Sequence, residues 1–209
     1  MLLEAAAEVD VKDGSGRTAL MWAAYKGEPA VIQALLAANA KIKLSDKSGS
    51  TGLMYAARQG NAEGVKLLLE AGEMIDARNN DGWTALMAAS SNAHTDSVKA
   101  LLDAGADVDV QAKGGWSALI GAASKGDLES ITAILDKGAD LEAGDDNKAT
   151  ALIHASSQGQ NEAVKLLLEK GADRAAQDIM GKTAADYATE KGLTETVRIL
   201  QGGAAPAQQ

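Results

Sequence analysis

A strict period constrains this chain more than any other feature. The segment Thr18-Ala19-Leu20-Met21 returns as Thr51-Gly52-Leu53-Met54, Thr84-Ala85-Leu86-Met87, Ser117-Ala118-Leu119-Ile120 and Thr150-Ala151-Leu152-Ile153. A degenerate copy follows at Thr183-Ala184-Ala185-Asp186, and every step is 33 residues without insertion. Such a period marks one supersecondary unit copied along the chain, each copy burying its apolar face against its neighbours. Glycines hold the same phase. Gly16, Gly49, Gly82, Gly115 and Gly181 precede the Thr or Ser, with Lys148 as the exception. Gly27, Gly60, Gly126, Gly159 and Gly192 follow it, with Ala93 as the exception, and Gly72, Gly105, Gly138 and Gly171 come later, with Asn39 in the first unit.

Each repeated residue has a physical task. The Thr or Ser hydroxyl suits a helix N-cap, where it accepts from an orphan backbone N–H. A short helix of about nine residues should follow and end at Gly27 and its equivalents, since glycine tolerates the left-handed conformation. Paired small residues such as Ala23-Ala24 and Ala56-Ala57 allow neighbouring helices to approach closely. A second helix shows apolar spacing at Ile32, Leu35, Leu36 and again at Val65, Leu68, Leu69. An extended arm, for example Ala106-Asp107-Val108-Asp109, then leads through a tight turn to the next cap.

These units resemble ankyrin repeats. One runs from Asn79-Asn80-Asp81-Gly82 through Thr84-Ala85-Leu86-Met87 to Leu101-Leu102 and Gly105-Ala106-Asp107, and the likeness covers about residues 2–201. The resemblance implies an all-α repeat solenoid: an ankyrin-type stack of helix–turn–helix units with β-hairpin-like loops. Two departures stand out. The family's Pro at the first helical position is Ala or Gly in every unit, which gives up some pre-organisation of the helix start. The family's loop-tying His is Met21, Met54, Met87, Ile120 and Ile153, which should shift the balance from polar ties to apolar packing. The expected organisation is a partial N-terminal repeat over 1–12 and repeats over 13–45, 46–78, 79–111, 112–144 and 145–177. A capping repeat over 178–201 and a disordered tail over 202–209 complete it. Leu2-Leu3-Glu4 aligns with the interior of a second helix, so a longer protein upstream of Met1 is expected.

Composition narrows the function. Aromatics are 3% with no Phe, so the core is built from small side chains. The net charge of −9 argues against nucleic acid or an anionic membrane as the main partner. No apolar run approaches a transmembrane length, and no membrane insertion is expected. The absence of Cys excludes disulfides without locating the protein. A cytoplasmic location is the default, whereas secretion or a periplasmic location would require a signal upstream of Met1.

Nothing in the residues points to chemistry. His94 and His154 occupy different repeat positions and read as surface or interface residues. Asp145-Asp146-Asn147 lacks the remaining ligands of a calcium loop. Gly114-Gly115 has no following Lys-Ser/Thr pair to make a phosphate loop. Met21, Met54 and Met87 form a stripe of core filling. No cofactor, metal or catalytic role is expected.

The resemblance implies a protein-binding module, with contacts on the hairpin tips and first helices, and a monomeric chain is expected. Trp83 and Trp116 hold the same tip position in adjacent units and should project side by side, about 10 Å apart. As exposed indoles they are candidate partner anchors. The alternative is that each lies down on its own hairpin. A second candidate cluster comprises Arg17, Trp22, Tyr25, Lys26, Tyr55 and Arg58, whose basic members would suit an acidic stretch on a partner. Trp22 and Tyr55 could equally fill space between first helices. A different reading makes the chain a regulatory or targeting segment of a larger enzyme, channel or effector.

Overall fold

Residues 8–202 are described in the computed structural model; the expectations for residues 1–7 and for the tail from 203 onward lie outside them. Twelve α-helices occur among the described residues, alternating between two kinds. The first helices are α1 (Ala19–Lys26), α3 (Gly52–Arg58), α5 (Ala85–Ser90), α7 (Ala118–Lys125), α9 (Ala151–Ser157) and α11 (Ala184–Glu190). The second helices are α2 (Pro29–Ala37), α4 (Ala62–Glu70), α6 (Thr95–Asp103), α8 (Leu128–Asp136), α10 (Asn161–Glu169) and α12 (Thr194–Leu200). No β-sheet forms among these residues, and one isolated antiparallel bridge joins Ser45 to Thr51. The fold is an all-α repeat stack, and among the described residues no helix is long and apolar enough to cross a membrane.

Each first helix begins where the period places a hydroxyl. Thr18, Thr51, Thr84, Ser117, Thr150 and Thr183 all accept from the backbone N–H three residues on. Losing such a cap costs about 1 kcal/mol. At Thr183 the exchange is reciprocal, because Asp186 accepts from the Thr183 amide. The first helices run six to eight residues, shorter than their spacing suggested. The carbonyls near the helix end are taken early by N–H groups of the closing turn. Glu28 N–H, for instance, donates to Ala23 and Gly27 N–H to Ala24.

The chain divides into two compact units, residues 1–107 and 108–209. In the first, α1 packs on α3 and α3 on α5, while α2 packs on α4 and α4 on α6. In the second, α7, α9 and α11 pack in series, as do α8, α10 and α12. The seams are lined by Leu20, Leu53 and Leu86 in one unit and Leu119 and Leu152 in the other, all at most 3% exposed. Burying one such side chain contributes about 1.5–3 kcal/mol. Ala24, Ala56, Ala57 and Ala89 are fully buried, so a larger residue at any of them would overpack the seam at a cost of about 1–3 kcal/mol.

The tips are joined by backbone. In the first unit the Lys47 N–H donates to Ser15 O and the Asn80 N–H to Ser48 O; in the second, Asp146 donates to Gly114 O and Ile179 to Asn147 O. This approach explains the tip glycine. A Cβ on Gly49, whose φ is +79°, would meet the Asn80 backbone nitrogen at 2.9 Å. The arms are joined by carboxylates, with Asp10 accepting from the Lys41 amide, Asp76 from Asp107, Asp109 from Asp140 and Glu142 from Asp173.

The three residues that break the glycine pattern keep its backbone. Asn39, Ala93 and Lys148 are the only non-glycine residues with positive φ among those described, at 62°, 56° and 60°. The stack imposes the left-handed turn whichever residue occupies it. A Cβ in that region costs roughly 1–2 kcal/mol, less for Asn. Ala93→Gly and Lys148→Gly should therefore each raise the free energy of urea unfolding, by about 1 kcal/mol. Asn39→Gly should change it little.

Glu73 is a second exception. Its position belongs to Ala40, Ala106, Ala139 and Ala172 in the other repeats, and it is only 7% exposed. Its Oε1 accepts the Leu53 amide at the start of α3, while Oε2 has no donor within hydrogen-bond geometry. Beside it the chain carries Gly52 where the other repeats have Ala; a Cβ there would stand 3.5 Å from Oε2. Burial raises the carboxyl from its ordinary 4.5 to about 7, and hydrogen bonding around Thr51 and Leu53 pulls the other way without reversing it. A folded pKa above the unfolded one means that the folded chain holds the proton more tightly. That stabilisation is complete below about pH 4.5 and is lost as pH rises through about 7. Glu73→Gln should abolish this dependence. Between pH 4 and pH 9 the unfolding free energy of the parent should fall by about 3 kcal/mol more than that of the variant.

Candidate functional site

The first unit gathers most of the aromatic and basic residues singled out above. Helix α1 carries Trp22, Tyr25 and Lys26, α3 carries Tyr55 and Arg58, and the tips contribute Arg17 and Trp83. Trp22 meets Tyr25 edge to face at a centroid separation of 5.7 Å, and Tyr25 meets Tyr55 in the same way at 6.0 Å. The Arg17 guanidinium lies 4.0 Å over the Trp22 ring, and the Lys26 ammonium lies 5.8 Å from that of Tyr25. Tyr25 is the outermost ring, 37% exposed, and Trp22, Tyr55 and Trp83 are half-buried.

Two of these rings also hold their own repeat together. The Trp22 indole N–H donates to Asp13 at 2.9 Å, and the Tyr55 hydroxyl donates to Asp46 at 2.7 Å. The same carboxylates organise the tips, since Asp13 accepts from the Ser15 and Arg17 amides and Asp46 from Ser48 and Ser50. The second unit repeats the arrangement. Asp145 accepts from Asn147, Ala149 and His154 Nε2, and Asp178 from Met180, Lys182 and the Tyr187 hydroxyl. A carboxylate in the tip and a donor nine residues later on the first helix thus form a latch. The family's loop-tying His is gone, and Met21, Met54, Met87, Ile120 and Ile153 are core residues. In four repeats the residue that follows supplies a different polar tie, from the first helix to the tip of the same repeat.

The latch shows in the ionisation of its members. Asp13 is held at about 2, first by the Arg17 amide and then by the Trp22 indole. Burial works against Asp46, yet the bonds from Tyr55, Ser48 and Ser50 keep it below the usual carboxylate range. Burial and then Asp46 push Tyr55 up to about 12, and Asp178 is the main cause of a similar rise at Tyr187.

Two repeats lack the latch. In one the tip residue is Asn79 and the helix residue Ala88; in the other they are Ala112 and Gly121. Beside Ala88 the surface opens into a cleft of about 450 Å³ between α3 and α5. Met54, Tyr55 and Arg58 line it on one side, and Asn79, Asp81, Trp83, Ala88 and Asn92 on the other. Trp83 is thus a cleft wall. Trp116, in the second unit, meets His154 edge to face at 5.1 Å. The two tryptophans belong to different units. Trp83 and Trp116 are both half-buried, and His154 is a latch residue and a ring partner.

The latch was missed in the sequence, although Asp13 and Trp22, Asp46 and Tyr55, Asp145 and His154, and Asp178 and Tyr187 share one spacing. Tyr55→Phe should keep the ring and lose the bond to Asp46. Urea unfolding should then show a loss of about 1–2 kcal/mol, as for a half-buried hydrogen bond to a charged group.

A family model described as "Ankyrin repeats (3 copies)" matches residues 1–79, 31–112, 62–145 and 119–208. No curated protein matches the sequence.

Proposed function

Because the chain belongs to the ankyrin repeat family, whose members are generally protein–protein interaction modules, we propose that it binds a protein partner on the tip and first-helix face of its first unit. The observation that carries this reading is the continuous run from Arg17 and Trp22 through Tyr25, Lys26 and Tyr55 to the cleft walled by Arg58 and Trp83. Tyr, Trp and Arg are the residue types that dominate binding energy when anchored in a rigid surface. Here the scaffold supplies the rigidity. Trp22 and Tyr55 are fixed by their latches, and Tyr25 is wedged between their rings. Preorganised rings lose little conformational entropy on binding. Trp116 is a separate contact candidate in the second unit, resting on His154.

Tyr25→Ala and Trp83→Ala should each weaken capture of an identified partner at least about tenfold, the scale of an interface hot spot. Helical circular dichroism should be unchanged. Lys66→Ala, on the exposed face of α4, should leave capture unaltered. Undiminished capture by both aromatic variants would remove the assignment of this face.

A further inference from the structure

The cleft beside Ala88 is a latch site from which the plug has been removed, and a matching site in the second unit shows what the plug does. Three repeats later, the equivalents of Ser48, Ser50, Met54, Tyr55, Arg58, Asn79, Asp81 and Ala88 are Asn147, Ala149, Ile153, His154, Ser157, Asp178, Met180 and Tyr187. These line a cleft of about 270 Å³ in place of 450 Å³. In that smaller cleft the Tyr187 ring stands at the position of Ala88, with its hydroxyl on Asp178. The backbone module is shared, and the plug residue differs.

Removing the plug also reversed the polarity of the site. The latched repeats present a carboxylate that accepts from the ring donor. Asn79 keeps the tip-forming half of that role, since its Oδ1 accepts from the Asp81 amide at 3.0 Å and the Trp83 amide at 2.9 Å. Those two bonds fix which end of the amide is oxygen. Its Nδ2 therefore presents N–H donors and has no protein acceptor among the described residues, on a half-buried side chain lining the cleft. Across the cleft stands Arg58, exposed, with no ion pair or hydrogen bond among the described residues. Elsewhere on this face the tip carboxylates Asp13 and Asp46 are already engaged by their latches and tip amides. Among the described residues Asp81 is the one acidic side chain in the lining. An Asn amide and a guanidinium lining one cleft with Tyr55 and Trp83 supply the donors for a planar acceptor group.

We propose that this cleft receives a carboxylate side chain from an extended acidic segment of a partner protein. The carboxylate lies between Arg58 and Asn79 Nδ2, and its aliphatic stem packs against Trp83, Tyr55 and Met54. Lys26 and Arg17, farther along the same face, meet acidic residues on the flanks of the segment. This rests on the interaction reading given above and names the chemistry of the partner.

The test uses the full chain and two labelled octapeptides, one alternating Glu and Ser, the other Gln and Ser. In ¹⁵N-resolved NMR titrations the Glu peptide should shift the Trp83 indole and Asn79 side-chain amide resonances and bind at least about tenfold more tightly than the Gln peptide. Arg58→Gln should lower that affinity about tenfold. Asn79→Asp combined with Ala88→Tyr restores the pair found at Asp178 and Tyr187, so this variant should fold, fill the cleft and lose binding. Asn79→Asp alone, which keeps the acceptor for the tip amides, should also lose it. Equal affinity for the two peptides, no binding of the Glu peptide, or full binding by a correctly folded Asn79→Asp/Ala88→Tyr variant would overturn the proposal. If that double variant still captures an identified partner while Tyr25→Ala does not, the face stands and the cleft does not.

Discussion

One acceptor at the head of each repeat organises what surrounds it. A carboxylate or amide oxygen at positions 13, 46, 79, 145 and 178 takes two backbone N–H groups of its own tip. Those bonds close the loop at the tip, whose backbone is hydrogen-bonded to a neighbouring tip, as between Lys47 and Ser15 or Asn80 and Ser48. The exception supports the argument. Ala112 has no acceptor to offer, and there the tip closes as a short 3-10 turn over Lys113–Gly115, with Gly114 and Gly115 both at positive φ. Every tip has a positive φ at the position of Gly115, whereas the positive φ at Gly114 occurs only in the tip that lacks the side-chain oxygen. This accounts for the Gly-Gly pair without any ligand.

Much of this was legible in the sequence because the period acts on the backbone. The cap hydroxyls, the paired alanines and the second-helix leucines each serve one purpose in every copy, so repetition reveals them. Residues that broke the pattern carried information of another kind. Ala93 and Lys148 replace the repeated glycine, yet the left-handed turn is retained and the residues are strained. Nearest-neighbour packing over a whole repeat outweighs roughly 1–2 kcal/mol of local preference.

The latch was not legible because its two halves look unrelated along the chain. Trp22, Tyr55, His154 and Tyr187 are of three residue types and resemble variable surface; only the shared acceptor shows them to be one device. Trp22 and Tyr55 are structural through their donor atoms, while their ring edges build the face on which Tyr25 stands. A polar tip and an apolar body permit both roles in one side chain.

This division of labour shows how a repeat acquires a receptor without endangering its fold. The tip needs an acceptor, and Asn supplies one as well as Asp does, because only Oδ1 is used by the backbone. The second oxygen of Asp takes the latch donor, joined at Asp13 by the Arg17 Nε–H. Exchanging Asp for Asn therefore leaves the loop intact, deletes the latch acceptor and adds N–H donors in its place. Once the ring donor has lost its partner, burying its polar end becomes unfavourable, and a small residue such as Ala88 is the consistent companion. The pairing of Asn79 with Ala88, against Asp with Tyr, Trp or His in the latched repeats, follows from that coupling. It leaves a rigid, donor-lined opening in a surface whose other tip carboxylates are already engaged.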